Sequence, residues 1–249
     1  MGLLDILYHD EHLLAINKPA GLLVHRSMID RHETRFAIQL LRDQIGRRVY
    51  PVHRLDKPTS GVLLFALDKE TARLLGEQFS GNAVQKQYLA VVRGYTPEHE
   101  MIDYPLKEEL DRMTDTLTGR DKPAQAAMTE YIRLARVELH FPVSRYQTAR
   151  YSLLQLIPGT GRKHQLRRHM KHIFHPIVGD STHGDGRQNQ FFRQRFDCQR
   201  LLLATTQMSF EHPYSGVKVV ISAAVDSIFK HIIDELGWHE VYTGVCNEQ

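Results

Sequence analysis

Cysteine is scarce in this 249-residue chain, which contains only Cys198 and Cys246. Two cysteines exclude a disulfide-rich secreted scaffold and a zinc site with four cysteine ligands, and they favour a reducing compartment. Long apolar runs are missing too, since the longest covers residues 62–67, whereas a membrane-spanning helix needs about 20 apolar residues. The first ten residues lack the pattern of a signal peptide. We therefore expect a cytoplasmic protein with no membrane segment.

Repeats, low-complexity segments and Ser/Gly linkers are also absent from the sequence. The composition, with 42% hydrophobic and 24% charged residues, is typical of a globular chain and excludes a disordered or collagen-like one. No boundary divides the chain, and its length is sufficient to bury a core without disulfides.

Acidic residues are missing from one stretch, residues 139–179. The formal net charge is only +3, but this window carries seven basic side chains and five of the 15 histidines. Such an imbalance favours binding of a polyanion, and a solvated basic face is the alternative. The seven cations are Arg145, Arg150, Arg162, Lys163, Arg167, Arg168 and Lys171.

Apolar patterns predict more strands than helices. Several predicted strands follow one another without an intervening helix, so we predict an α+β fold, a mainly antiparallel mixed sheet with helices on its faces. The predicted strands are residues 6–8, 13–16, 62–67, 88–92, 127–134, 151–157, 201–210 and 217–223. The predicted helices are residues 34–45, 69–80 with Asp68 as N-cap, 164–173 and 227–236.

A polar turn precedes the apolar strand predicted at residues 62–67. In this turn Asp56 lies between Arg54 and Lys57, and cations this close keep a carboxylate ionised. An ionised carboxylate at the end of a buried strand can serve as a nucleophile or a base. The alternative is that Asp56 only caps the turn and pairs with a local cation.

The turn resembles the signature of the RluA family of pseudouridine synthases, through His53-Arg54-Leu55-Asp56 followed by Thr59-Ser60-Gly61. Further blocks agree in order and spacing, so the similarity extends from about residue 6 to about residue 223. The resemblance implies the pseudouridine synthase catalytic fold with a central RNA-binding cleft. It also implies a single catalytic domain over residues 1–249, without an N-terminal S4-like domain. The further blocks are Asn17-Lys18-Pro19-Ala20-Gly21 and residues 86–94, 160–167, 175–180 and 200–203.

The resemblance implies a role for each of four residues. Asp56 matches the catalytic aspartate, which attacks the sugar or the base or assists loss of a sugar proton; all three routes stay open. Arg167 matches the arginine that pairs with this aspartate, and Tyr88 the tyrosine that stacks on uracil. Arg54 matches the arginine that fills the space left by the flipped uridine.

The resemblance also implies the remaining contacts of the site. Because pseudouridine formation only moves the ribose bond from nitrogen 1 to carbon 5 of uracil, no cofactor and no metal ion are expected. Within the predicted helix 164–173 and beside it, Lys163, Arg168 and Lys171 are positioned to contact phosphates. We expect a monomer with tRNA as its partner. The residues expected to bind substrate or RNA are His53, Arg54, Thr59, Arg162, Lys163, His164, Gln165, Arg168 and Lys171.

Residues 22–27 and 180–185, with the polar residues 187–189, make the chain most similar to family members that modify one tRNA uridine. That uridine, number 65, lies at the junction of the T and acceptor stems. Two alternatives stay open: a uridine of ribosomal RNA, and a noncatalytic RNA-binding or chaperone role. Residues 183–189 are expected to form a loop that touches RNA, through Arg187 in particular.

The histidines of the basic window raise a metal-binding alternative. His169 and His172 share a helical face, and His164 and His175 lie nearby. However, no His-Glu-x-x-His motif is present, and the window contains no carboxylate to complete a ligand set. A metal site is therefore not expected.

Overall fold

The computed structural model describes residues 2–25, 33–108 and 123–247. None of the helices in these ranges is long and apolar enough to cross a membrane. The strands are β1 (Asp5–His9), β2 (Leu13–Lys18), β3 (Tyr50–Pro51), β4 (Ser60–Ala66), β5 (Gln85–Arg93), β6 (His99–Asp103), β7 (Met128–Leu139), β8 (Ala149–Pro158), β9 (Leu203–Glu211) and β10 (Lys218–Ser222). The helices are α1 (Ala37–Ile45), α2 (Lys69–Ser80), α3 (Gln165–His172), α4 (Gly186–Phe196), α5 (Ser227–Glu235) and α6 (His239–Asn247).

All ten described strands belong to one sheet. Eight of them follow the order β1-β2-β4-β9-β5-β8-β7-β6, while β3 pairs with β4 and β10 pairs with β9. The pairing of β4 with β9 is parallel, and every other pairing among the described strands is antiparallel. The predicted α+β class and mainly antiparallel mixed sheet are therefore confirmed.

Helices cover both faces of the half of the sheet that contains β2 and β4. Side chains alternate along a strand, so Leu63 and Phe65 pack toward α1, whereas Val62 and Leu64 pack toward α2. Every residue of β4 is buried as a result. This double cover explains why the sequence of β4 is a continuous apolar run and not an alternating one.

The other half of the sheet is covered in the same way. Helix α3 packs Leu166 and Met170 against β5, β8 and β9, and α4 and α5 pack Phe192 and Phe229 on the opposite face. Tyr88 of β5 contacts both the core under α1 and the core under α3. Tyr88 therefore lies at the boundary between the two halves of the sheet, on the face that carries α1 and α3.

Four elements were not predicted: β3, β6, α4 and α6. The expected loop at residues 183–189 is wrong in its second part, because α4 begins at Gly186. The Asp185 carboxylate caps α4 by accepting from the N–H groups of Arg187 and Gln188. Few apolar residues mark this helix in the sequence, and its buried Phe192 and Phe196 gain their partners only from distant segments. Residues 26 and 27, used for the substrate prediction, lie outside the described residues.

Gly61 allows the close approach of β4 and β9, and Gly61→Ala is expected to lower the free energy of unfolding by about 2–3 kcal/mol. Gly61 has a φ of +106°, and an added Cβ would lie 2.0 Å from the Thr205 carbonyl oxygen. Denaturant unfolding measures the loss. Gly76→Ala in α2 is the matched control, because its Cβ meets nothing within 4 Å. Gly76→Ala is expected to raise the free energy of unfolding by about 0.5–1 kcal/mol. Equal effects of the two changes would contradict the steric explanation.

Candidate active site

Lys18 supports the turn that carries Asp56 by donating hydrogen bonds to backbone carbonyl oxygens. The Lys18 side chain is completely buried, and its Nζ donates to the carbonyl oxygens of Pro19, Leu22 and Lys57 at 3.0, 2.8 and 3.2 Å. Burial, with the charge of Arg200, lowers the pKa of Lys18 to about 7. Since Lys57 follows Asp56 directly, Lys18 fixes the backbone beside the carboxylate.

Asp56 is paired with Arg167 of α3. Arg167 Nη1 donates to Asp56 Oδ2 at 3.0 Å, and the Arg167 side chain is only 5% exposed. The Asp56 side chain is 22% exposed, so its carboxylate is both held by a cation and open to the cleft. The predicted pairing of these two residues, 111 positions apart, is thus present in the structure.

A second carboxylate, Asp180, binds the other edge of Arg167. Arg167 Nε and Nη2 donate to the Asp180 oxygens Oδ2 and Oδ1 at 2.7 and 2.9 Å, a bidentate pair. The N–H groups of Thr182 and His183 also donate to Asp180 Oδ1 at 2.9 Å. Two carboxylates therefore fix the guanidinium plane, which directs Nη1 at Asp56.

Asp180 was not predicted as a site residue, although it lies in a family block. It is the first acidic residue after the basic window, and this position was the available signal. Burial alone raises its pKa, but the hydrogen bonds from Arg167 and the backbone hold the pKa of Asp180 below its usual value. The positive charge of Arg167 is therefore balanced by Asp56 and Asp180, two carboxylates that lie outside residues 139–179.

Tyr88 reaches the cleft from β5. Burial raises the pKa of Tyr88 to about 12, with the Asp56 charge acting in the same direction and the Thr205 hydroxyl opposing it. The phenol is therefore protonated at neutral pH. A protonated ring beside the carboxylate is suited to stacking on a base and to donating a hydrogen bond.

His164 lies beside Asp56 in an unusual backbone conformation. It precedes α3 with a φ of 54°, which is uncommon for a residue other than glycine. This conformation places His164 Nε2 3.9 Å from Asp56 Oδ2 and Nδ1 3.1 Å from Nε2 of His183. His183 was predicted only as part of the loop 183–189 that was expected to touch RNA, and it lies beside His164 because residues 180–183 turn back toward α3.

A cavity of about 550 Å³, here called the catalytic pocket, contains the predicted site. Ten of the twelve predicted residues line it: His53, Arg54, Asp56, Thr59, Tyr88, Arg162, Lys163, His164, Gln165 and Arg167. Arg168 and Lys171 do not line it; Arg168 is half-buried on α3 and Lys171 is exposed. Lys86 also lines the pocket, and burial lowers the pKa of its ammonium.

The predicted RNA-binding side chains of His53 and Gln165 have hydrogen-bond partners within the protein. His53 Nε2 accepts from the Leu64 N–H at 3.0 Å, and burial, with the charge of Lys86, lowers the pKa of His53 to about 3. Gln165 binds Met128, Thr129, Thr160 and Arg162 through its amide. These contacts order the pocket wall, and direct RNA contacts of both residues stay predictions.

The histidines of the basic window are spread over separate contacts. His169 Nδ1 lies 2.9 Å from Thr129 Oγ1, and its Nε2 lies 2.9 Å from the Tyr104 carbonyl oxygen. The ring of His172 stacks on that of Tyr104, and His175 Nδ1 lies 2.8 Å from the Arg93 carbonyl oxygen. Among the residues that the structure describes, no group of three His, Cys, Asp or Glu side chains is arranged to hold a metal ion.

Comparisons with known proteins identify the family to which the chain is similar. Residues 12–172 match the family model described as RNA pseudouridylate synthase. A tRNA pseudouridine synthase C from Vibrio cholerae is 52% identical over 96% of this chain and 98% of its own. Another, from Haemophilus influenzae, is 54% identical over 96% and 100% of the two chains. Human RNA Pseudouridylate Synthase Domain Containing 4 is 26% identical and matches with a TM-score of 0.69 over 94% of this chain and 93% of its own.

The three residues of the predicted catalytic site lie within the region that the family model matches. Asp56, Tyr88 and Arg167, which meet in the catalytic pocket, all lie within residues 12–172. The relatives are similar over nearly their whole lengths, so the resemblance predicted from the motifs is confirmed. The chain belongs to the RNA pseudouridylate synthase family.

Proposed function

We propose that this protein converts one uridine of tRNA to pseudouridine. The observation that carries the proposal is the ion pair of Asp56 and Arg167 in a pocket lined by basic residues and Tyr88. A noncatalytic RNA-binding protein gains nothing from a carboxylate that faces a polyanion, because the two repel each other. A held carboxylate is instead useful for breaking a glycosidic bond.

The reaction requires that uracil be detached, turned and rejoined without leaving the pocket. The bond between ribose carbon 1′ and nitrogen 1 breaks, a bond from carbon 1′ to carbon 5 forms, and the carbon 5 proton leaves while nitrogen 1 gains one. Asp56 acts on the sugar or the base in the first step. Tyr88, whose pKa burial raises to about 12, offers an aromatic face that retains the turning base.

Access to the buried reaction centre requires that the uridine leave its helical stack. Arg54 is exposed at the pocket and is suited to occupy the space that the uridine leaves. Arg162 and Lys163 line the same pocket, and Lys171 is exposed on α3. These cations attract phosphates and position the RNA, whereas the shape of the pocket selects the base.

The tRNA substrate is supported by the relatives named tRNA pseudouridine synthase C. Uridine 65 is proposed from the motif resemblance at residues 22–27, 180–185 and 187–189. We propose that one catalytic domain acts as a monomer, because Asp56, Tyr88, Arg167 and Asp180 all come from one chain. Reaction on tRNA implies a cytoplasmic location. The proposal includes no cofactor, because the reaction is an isomerisation with no net oxidation or reduction of the substrate.

Purified protein is expected to release tritium from tRNA whose uracils are labelled at carbon 5, because that hydrogen is lost in the reaction. Pseudouridine mapping in cells that lack the protein is expected to show loss of the modification at uridine 65 of tRNA. Loss only in ribosomal RNA would contradict the tRNA substrate. If the protein binds RNA but releases no tritium from any RNA, the catalytic function is contradicted and the noncatalytic RNA-binding alternative is favoured.

A further inference from the structure

A second cavity, of about 980 Å³, lies at the opposite end of β5 from the active site. Its wall comes from the end of β5, the start of β8, the segment 144–148 and the first turn of α4. Four arginines line it: Arg93, Arg145, Arg150 and Arg187. This cavity, here called the arginine cavity, contains two of the seven cations of the basic window, Arg145 and Arg150, which the active site does not use.

The positive charge of the arginine cavity is only half compensated. Arg93 pairs with Asp185 at 2.6 Å, and Arg150 pairs with Glu138 at 3.3 Å. Arg145 donates to the Tyr146 hydroxyl at 2.9 Å and Arg187 to the Ser144 hydroxyl. Within the described ranges, neither Arg145 nor Arg187 forms an ion pair with a carboxylate. Two exposed guanidinium groups therefore keep donors and charge for an anion.

The arginine cavity and the catalytic pocket are joined by one strand. Tyr88 and Arg93 are five residues apart on β5, which corresponds to about 16 Å in an extended strand. Arg93 Nη2 also donates to the carbonyl oxygen of Phe174 at 3.3 Å, and Phe174, just beyond α3, is 79% exposed. This is a distance that several consecutive phosphates of one nucleic-acid strand can span.

We propose that the arginine cavity binds backbone phosphates of the same RNA whose uridine enters the catalytic pocket. The proposal rests on the proposed function for the identity of the RNA. Four guanidinium groups on separate segments match a series of phosphodiesters better than one compact ligand. The exposed Tyr146 ring, with the Arg145 guanidinium 5.0 Å from its centre, adds a surface for a base or sugar.

The test removes the two arginines that lack a carboxylate partner. Arg145→Gln with Arg187→Gln is expected to raise the Kd for tRNA on the order of tenfold at about 0.1 M salt. The slope of log K against log salt is expected to become shallower by about two. The rate of tritium release at saturating tRNA stays unchanged, because the catalytic pocket is intact.

The control removes the same charge elsewhere, by Arg193→Gln in the last turn of α4 with Lys230→Gln on α5, both exposed. Thermal unfolding checks the fold. Arg145→Gln alone is the second variant, because the side chain of Arg145 donates its hydrogen bond to the neighbouring Tyr146. About half of the effect on the salt slope is expected for this variant.

The outcomes separate the two proposals. A Kd and salt slope equal to those of the control would overturn the arginine cavity as an RNA site. Binding of uridine 5′-monophosphate is measured on the wild type and on the double variant. If the double variant loses this binding while its tRNA affinity is unchanged, the ligand is a small phosphate compound, and the arginine cavity is overturned as an RNA site. If the wild-type protein releases no tritium but the arginine variants weaken tRNA binding, the inference stands and the proposed catalytic function fails.

Discussion

Asp56→Asn is expected to abolish tritium release from labelled tRNA, a decrease of at least about 10⁴-fold, while the Kd for tRNA stays within about threefold of the wild-type value. The amide keeps the shape of the carboxylate but has neither its charge nor its nucleophilic oxygen. The fold is expected to survive, because Arg167 keeps its bidentate pair with Asp180. Tritium release and filter binding on the same preparation measure the two effects.

Asp43→Asn is the matched control for this change. Asp43 lies on α1, on the same face of the sheet, and its side chain is 58% exposed beside Arg42. Removal of its charge is expected to leave the tritium release rate unchanged. Wild-type turnover by Asp56→Asn would reject every mechanism in which the carboxylate acts on the sugar or the base.

Asp180→Asn is expected to lower both stability and activity. The change removes one partner of a buried ion pair, since the Asp180 side chain is 1% exposed and that of Arg167 5%. A loss of about 3–5 kcal/mol in the free energy of unfolding is typical of such a break. The freed guanidinium no longer points Nη1 at Asp56, so kcat is expected to fall while the salt dependence of tRNA binding stays the same.

Acid titration gives a second measurement on Asp180. Its pKa lies below the usual value in the folded protein, so the unfolded chain binds the proton more readily. The stabilisation is therefore complete above the unfolded pKa, near 4, and is lost as the pH falls through the folded pKa. Asp180→Asn is expected to lose less stability than the wild type over this acidic range.

The control for Asp180 is Asp234→Asn on α5, an aspartate that is 44% exposed beside His239. A surface change of this kind is expected to alter the free energy of unfolding by less than about 0.5 kcal/mol. If Asp180→Asn is equally mild and keeps full kcat, the bidentate pair does not position Arg167.

Elements with a strong local pattern were predictable from the sequence. The apolar run of β4 and the Asp68 cap of α2 are examples, and the Asp68 carboxylate accepts from the Thr71 N–H as predicted. Helix α4 was not predictable from its composition, because its stability depends on Phe192 and Phe196 reaching the core around β5 and β8. Local propensity says little about a polar helix that tertiary packing holds in place.

The candidate active site was likewise predictable where local sequence motifs mark its residues, and not where tertiary contacts bring residues in. The motifs identified Asp56, Tyr88 and Arg167, and the structure brings all three into one pocket. Asp180 was missed as a site residue, and His183 was predicted only within the loop 183–189, because their places in the site depend on contacts with α3 and with His164. No periodicity relates those residues along the chain.

The sequence by itself determined the family, the types of most elements and the candidate site residues Asp56, Tyr88 and Arg167. It also located the excess positive charge in residues 139–179. Only the tertiary structure decided how that charge is divided, with Arg167 neutralised between Asp56 and Asp180 and with Arg145 and Arg150 in the arginine cavity. The physical reason is that ion pairing depends on distance in space, and the strands of the sheet bring together residues that are far apart in the chain.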